Sequence, residues 1–451
     1  MEARQDLERP LTVAAVRIPR AGLLALGAGF AAFGVLLFLG RNLIFFYDEW
    51  TLITQSPRWT LVSFFQPHNE HWSTLLKLTY EALLLTVGLR SYLPYLALAL
   101  ALHVASALLV FVLVRRRAGE VPALVACVLI LLIGAGSEDL FWAFQIGFNG
   151  SIAFGLAAMV LLDRPDASWR ALVGASAALL GSLMFSGVGL LFLVALTVEL
   201  GLDRVRRRNL LALALPLVAY LAWFVAFGRS GLTPRFPSPS AWLTYVANGV
   251  VSASAGLLAL AAPLGLVVLA AIIGLVAFSW WRRGRADARV LGATAALLAQ
   301  FVLTGIVRSQ LGPEQAASSR YVYVAAFFLV LIACDGVRDL SWRPAAGAGV
   351  ALAAAVVVTL DLVQLHGYAV EKTAFTEVEK ADLQVVTFYR GTPGLALDAP
   401  VDVVVMPQVT PRGYFAAIDR YGAPVPSVNQ LGFERLPSAV VANVRRSILP
   451  G

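Results

Sequence analysis

Charge is scarce in this chain of 451 residues: 14% are Asp, Glu, Lys or Arg, against 59% that are hydrophobic. Soluble chains carry about 25% charged and about 45–50% apolar residues. Polar material this sparse cannot cover a core this apolar, which excludes a single water-soluble domain. Intrinsic disorder is excluded by the same figures. Cysteine is nearly missing as well. Cys127 and Cys334 both lie in apolar runs, which leaves no disulfide framework and no zinc-knuckle spacing. Histidine occurs four times, and only His103 sits well inside an apolar run. Ionisable groups are otherwise missing from the middle of those runs. Pumps and ion-coupled transporters place such groups near the membrane midplane, so their scarcity counts against transport.

What the chain has in abundance is apolar runs, with a mean hydropathy of +0.77. A spanning helix needs about 20 mostly apolar residues. Runs of that kind occupy Ala21–Gly40, Tyr92–Val114, Val121–Gly136 and Ile146–Leu162. They continue at Leu210–Phe227, Pro263–Trp281, Val290–Val307, Tyr321–Cys334 and Ala345–Leu360. Ala171–Leu200 would be roughly 45 Å long as one helix, too much for a hydrocarbon core of roughly 30 Å. Splitting it at Phe185-Ser186-Gly187-Val188-Gly189 gives two short helices and a tight turn. The expected fold is therefore all-α and polytopic, with about 11 transmembrane helices.

The basic residues give the expected orientation. With eleven crossings, 19 Lys/Arg, beginning with Arg4, Arg9, Arg17 and Arg20, fall on one side; eight fall in the loops of the other side and eight after Asp361. Short Arg-rich loops mark the cytoplasmic face. The N-terminus is thus expected inside and the C-terminus outside, in the cell (inner) membrane. The net charge of +8 reports this bias and not a nucleic-acid partner. Ala241–Leu260 is apolar enough to cross, but a crossing there would move Arg282–Arg289 outside, so it reads as interfacial or re-entrant.

Polar residues with chemical character gather in three outer loops. The first, Arg41–Ser91, exceeds the length of an idle connection. It opens with Tyr47-Asp48-Glu49-Trp50, a carboxylate pair suited to a general base or to a cation, or merely a solvated pair beside an aromatic belt. Further on comes His68-Asn69-Glu70-His71-Trp72. Histidines three apart on a helix face could bind a metal, with Asp48, Glu49 or Glu70 as further ligands, or donate hydrogen bonds to a phosphate. A cap for the amphipathic stretch Trp72–Leu85 is the plainer alternative. The second loop carries Glu138-Asp139 before Phe141-Trp142, and the third carries Arg308 and Ser318-Ser319-Arg320-Tyr321. An arginine fork beside an aromatic suits a phosphate, or an interfacial anchor.

Taken together, these features resemble the GT-C superfamily of membrane glycosyltransferases, which use sugars linked to polyprenyl phosphate. The likeness rests on Asp48-Glu49 soon after the first span, the long first outer loop, the acids at Glu138-Asp139, Arg320-Tyr321 at a late helix entry and a tail on the outer side. The resemblance implies transfer of a hexosyl or pentosyl group to an acceptor hydroxyl on the outer face, with inversion. Asp48 or Glu49 would be the general base. Arg320, with Arg308 or His71, would hold the donor phosphate. His68, Glu70, Glu138, Asp139 and Tyr321 would bind substrate. No cofactor is demanded; a divalent cation remains open, with Asp48, His68, His71 and Glu138 as its candidate ligands. The implied partners are a lipid-linked donor, a glycan, lipid or protein acceptor, and membrane lipid. A nucleotide-sugar donor would suit a Rossmann-type domain, and no G-x-G-x-x-G follows a strand here. A transporter or flippase of a lipid-linked glycan is the alternative function, and a non-catalytic envelope-assembly protein a third.

The expected division is a transmembrane domain over 1–360, including the loop 41–91, and an extracytoplasmic segment over 361–451. In that tail, Val401–Met406 (VDVVVM) reads as a buried strand and Tyr414–Tyr421 as a short helix, which makes a small α/β unit or a cap over the loops.

Overall fold

A computed structural model describes residues 20–231 and 237–449. Arg4, Arg9 and Arg17 of the charge argument lie outside them, as does Arg235, one of the eight basic residues counted in the loops of the other side. Among the described residues there are helices and no sheet.

The chain enters along α1 (Arg20–Leu39), whose Leu23, Leu24, Phe30 and Phe38 point outward. The first long loop then folds into α2 (Asp48–Gln55), α3 (Leu61–Phe65) and α4 (Thr74–Thr86). Next come α5 (Leu93–Ala118), α6 (Glu120–Leu131), α7 (Ser137–Phe141) and α8 (Ile146–Leu161). α6 and the segment Gly134–Phe141, which ends in α7, meet at a bend of 43°, as a broken span or a re-entrant loop does. The pair α9 (Trp169–Phe185) and α10 (Gly189–Leu202) replaces the overlong run, with its break at the Ser-Gly-Val triplet. Gly189 makes the hairpin possible, since a Cβ there would lie 2.6 Å from the Leu183 nitrogen.

α11 (Leu211–Ala226), α12 (Pro239–Gly256), α13 (Gly265–Arg283), α14 (Ala288–Arg308) and α15 (Ser319–Gly336) complete the bundle. Among the described residues, eight helices are long and apolar enough to cross a membrane, nine if the bent pair counts as one span. This is a multi-pass membrane protein. α9 and α10 are shorter apolar helices, and they separate this count from the expected eleven. α12 is not among the eight. The core runs along α15, where every residue from Tyr321 to Ile332 is buried, and along α8. A helix apolar all round is one enclosed by other helices; α11 and α13 instead present exposed leucines and valines at the rim.

At the arginine-rich end, ion pairs tie the helix ends together. Glu199 of α10 is fully buried, with Arg206 and Arg289 each 2.8 Å away. Arg289 also holds Asp163 at 2.7 Å, while Asp335 binds Arg283 and Arg338.

α16 (Pro344–Phe388) is one unbroken helix of 45 residues. At about 1.5 Å per residue it is roughly 67 Å long, twice the hydrocarbon core. The expected division at 360/361 falls inside it. Buried residues appear only from Asp361 onward, so the first part faces outward and the second packs on the loops. α17 (Pro411–Tyr421), α18 (Gln430–Phe433) and α19 (Ser438–Ile448) follow. The expected strand over Val401–Met406, and with it the α/β tail, is corrected. The segment is a turn in which the Asp402 carboxylate accepts from the Val404 and Val405 amides, with one isolated bridge to Met406. Short Asp side chains compete in this way for backbone groups, and Val403 and Val404 are exposed.

Candidate active site

The site forms where the first loop closes over the bundle. Trp72 stacks on Trp223 of α11, rings 5.2 Å apart and nearly parallel, and the Trp223 indole donates to the Phe65 carbonyl. Lys77 donates to the Ser63 and Gln66 carbonyls at the end of α3. Burial pulls its ammonium down to about 8. Asp48 of α2 and Asn69, Glu70 and His71 then line one cavity with residues of α10 and α14.

Asp48 begins α2 and Glu49 follows, and the helix turns them apart. Asp48 lines a cavity of about 550 Å³, its side chain about half exposed and 3.9 Å from His68 Nε2. Glu49 is fully buried and not in the cavity wall. It accepts from the Phe46 amide at 3.0 Å and the Tyr80 hydroxyl at 2.7 Å. Burial outweighs both donors and pushes its carboxyl up to about 8. Before them, Tyr47 holds φ 51°, a left-handed conformation that costs a bulky residue energy. The Gln408 amide donates to its carbonyl, and Lys372 of α16 donates to its hydroxyl.

The expected helix face carrying His68 and His71 is corrected. The two residues oppose each other across a tight turn, exchanging backbone hydrogen bonds of 3.1 Å, with Asn69 at φ 52°. His71 lines the cavity, and its Nδ1 accepts from the Gly187 amide. Gly187 permits this approach, because a Cβ would lie 2.7 Å from that nitrogen. Burial lowers the His71 pKa, so the ring is neutral at pH 7. Among the described residues no three His, Cys, Asp or Glu stand in an arrangement that could hold a metal. Asp48, His68, His71 and Glu138, the candidate ligands, are not gathered into such a group.

The cavity gathers Asp48, Glu70, His71, Arg308, Arg320 and Tyr321 at its polar end. Glu70 and Arg308 form an ion pair at 2.9 Å. Arg320 lies over the Tyr321 ring and makes no ion pair among the described residues. Glu138 and Asp139 stand behind this end, outside the lining. The Glu138 backbone amide donates to the Ser319 hydroxyl, and Asp139 is fully buried with both carboxylate oxygens unpartnered. His68 packs against Phe144 at the rim.

Several lining residues had escaped the sequence reading. Gln145, Gln300 and Thr304 all face the cavity. Gln300, Thr304 and Arg308 lie four apart on α14, a polar stripe on an apolar helix that a helical-period count would have found. The rest of the wall is apolar, with Phe148, Leu191, Phe224 and Leu303 from four helices.

No protein-family model and no curated protein matches the chain. Among solved structures, it is similar to ArnT from Cupriavidus metallidurans in the apo state, with a TM-score of 0.54 and 16% identity over 94% of this chain and 88% of that one. It is also similar to ArnT from the same organism bound to undecaprenyl phosphate, with a TM-score of 0.50 and 17% identity over 95% and 90%. At such identities the likeness concerns the fold alone, over nearly the whole chain: this is a polytopic membrane protein folded as ArnT is.

Proposed function

We propose that this protein is a glycosyltransferase that moves a sugar from a polyprenyl-phosphate donor to an acceptor hydroxyl. One observation carries the reading: a single cavity joins an unpaired arginine and a half-exposed carboxylate to a long apolar wall. A lipid phosphate has the same division, a polar ester at the end of an apolar chain. The ArnT chain bound to undecaprenyl phosphate, similar in fold, supports this choice of donor.

In this reading Arg320 clamps the donor phosphate, with Arg308 held in reserve by Glu70. Asp48 takes the proton from the acceptor hydroxyl. The freed oxygen bonds to the anomeric carbon as the bond to the phosphate oxygen breaks, and the phosphate leaves with that electron pair. Attack from the face opposite the leaving group inverts the carbon. Arg320 meets the charge that develops on the leaving phosphate. His71, neutral, contributes its second ring nitrogen to the sugar or phosphate. Glu49 stiffens the α2 start from below and Glu138 and Asp139 balance Arg320 from behind, while His68 and Tyr321 shape the sugar pocket. The arginine bias supports a site on the extracytoplasmic face of the inner membrane, with residues 361–451 as its cap.

The test uses the full chain with a labelled polyprenyl-phosphate sugar and a panel of acceptors. Asp48→Asn is expected to abolish transfer while donor binding persists. Undiminished transfer in that variant would overturn the mechanism. Lipid-linked sugar crossing vesicles with no donor consumed would favour the flippase.

A further inference from the structure

A second cavity, of about 320 Å³, lies apart from the first and shares no lining residue with it. Arg41, Arg90 and Lys380 converge on it from three separate parts of the chain, and no carboxylate lines it. Arg41 is pinned: its Nη1 donates to the Phe38 carbonyl, and its guanidinium lies 3.8 Å over the Phe38 ring. Lys380 donates to the Asn42 carbonyl and pairs with Glu377. Among the described residues neither Arg41 nor Arg90 has an ion-pair partner. The like charges of Arg41 and Arg90 have no counter-ion and repel, and Lys380 has only Glu377, so this arrangement favours an anion between them.

The level of the cavity narrows the ligand. Arg41 stands two residues beyond the end of α1, and Leu93, which begins the membrane-spanning α5, lines the wall. Phe38 and Leu93 are both exposed, facing where lipid lies. The cavity is therefore at headgroup height, with Phe45 and Tyr92 as its inner wall. Arginine forks match phosphate oxygens, and the phosphate is the anionic group that a lipid holds at that height.

We propose that this cavity binds the phosphate of a membrane lipid headgroup, independently of the transfer reaction. A free phosphate ion would offer the same oxygens, and the experiment separates the two sources. The full chain in dodecylmaltoside is titrated with phosphatidylglycerol, with diacylglycerol of equal chain length and with inorganic phosphate, bound lipid being counted by native mass spectrometry. Phosphatidylglycerol is expected to bind more tightly than diacylglycerol. Arg41→Gln and Arg90→Gln are each expected to weaken it about tenfold, as loss of a hydrogen bond to a charged group does. Arg58→Gln, which removes an exposed charge elsewhere in the same loop, is expected to leave it unchanged. Each single variant keeps two of the three cations, and its unfolding midpoint without lipid checks that it folds. Unchanged binding in both variants, or an equal loss in Arg58→Gln, would overturn the site. Inorganic phosphate binding as tightly as phosphatidylglycerol would overturn the lipid as its source.

Discussion

At the scale of single residues, the deciding pair is Asp48 and Glu49. Adjacent in sequence, they are about 100° apart on a helix, so one reaches the cavity and the other the core. The sequence displays two equivalent carboxylates, because the direction of α2 is set by contacts far along the chain: Tyr80, Gln408 and Lys372. Glu49 binds its proton more tightly folded than unfolded, at about 8 against 4.5. Its contribution to stability is full below 4.5 and is lost as pH rises through 8. Glu49→Gln keeps the neutral form at every pH. The gap in unfolding midpoint between this variant and the parent is expected to widen from pH 4.5 to 8, as calorimetry or tryptophan fluorescence would read. A gap that stays flat would mean that Glu49 is already ionised in the folded protein. Arg320 belongs to the same scale. Arg320→Gln should lower kcat by about a hundredfold, the usual loss when one donor to developing charge is removed. Arg320→Lys should recover part of it, since charge returns without the fork.

At the scale of elements, legibility followed how local the cause was. The break between α9 and α10 was readable because Ser-Gly-Val-Gly cannot continue a helix packed so closely on itself. The His68–His71 turn was not, since its histidines have helical spacing and the turn is held by Gly187, over a hundred residues away. Val401–Met406 looked like a strand because valine favours strands, but a strand needs a partner and Asp402 closes a turn first. The arginine-rich loops were read as a charge bias alone, yet several of their arginines pair with buried acids. Glu199 is the junction, joining α10 to α14. Glu199→Ala would leave Arg289 buried beside one remaining partner, and breaking a buried pair costs about 3–5 kcal/mol. The expected outcome is a clear drop in unfolding midpoint in detergent. Donor affinity of the folded fraction, measured by titration, should be unchanged, because the cavity is formed at the other end of the bundle.

For the molecule as a whole, the low charge content has a use that composition cannot express. α15 and α8 fill the centre, so the larger cavity lies off-axis, between α8, α10, α11 and α14. Exposed leucines and valines of α11 stand beside it, which places its apolar wall next to lipid. Under the proposed function, a donor entering from the bilayer would leave most of its chain there and insert only the phosphate and the first isoprene units. Affinity should therefore rise over those first units, at about 0.8 kcal/mol for each CH₂ newly buried, and then level off. Leu303 tests this geometry, being both part of the wall and 43% exposed, so a larger side chain can be added without overfilling the core. Leu303→Trp is expected to raise KM for a long-chain donor severalfold, while a donor with a single isoprene unit and the unfolding midpoint are barely affected. An equal rise for both donors would put the tail elsewhere, and a change in kcat alone would mean that the tryptophan disturbs Asp48 or Arg320 and not the path of the lipid.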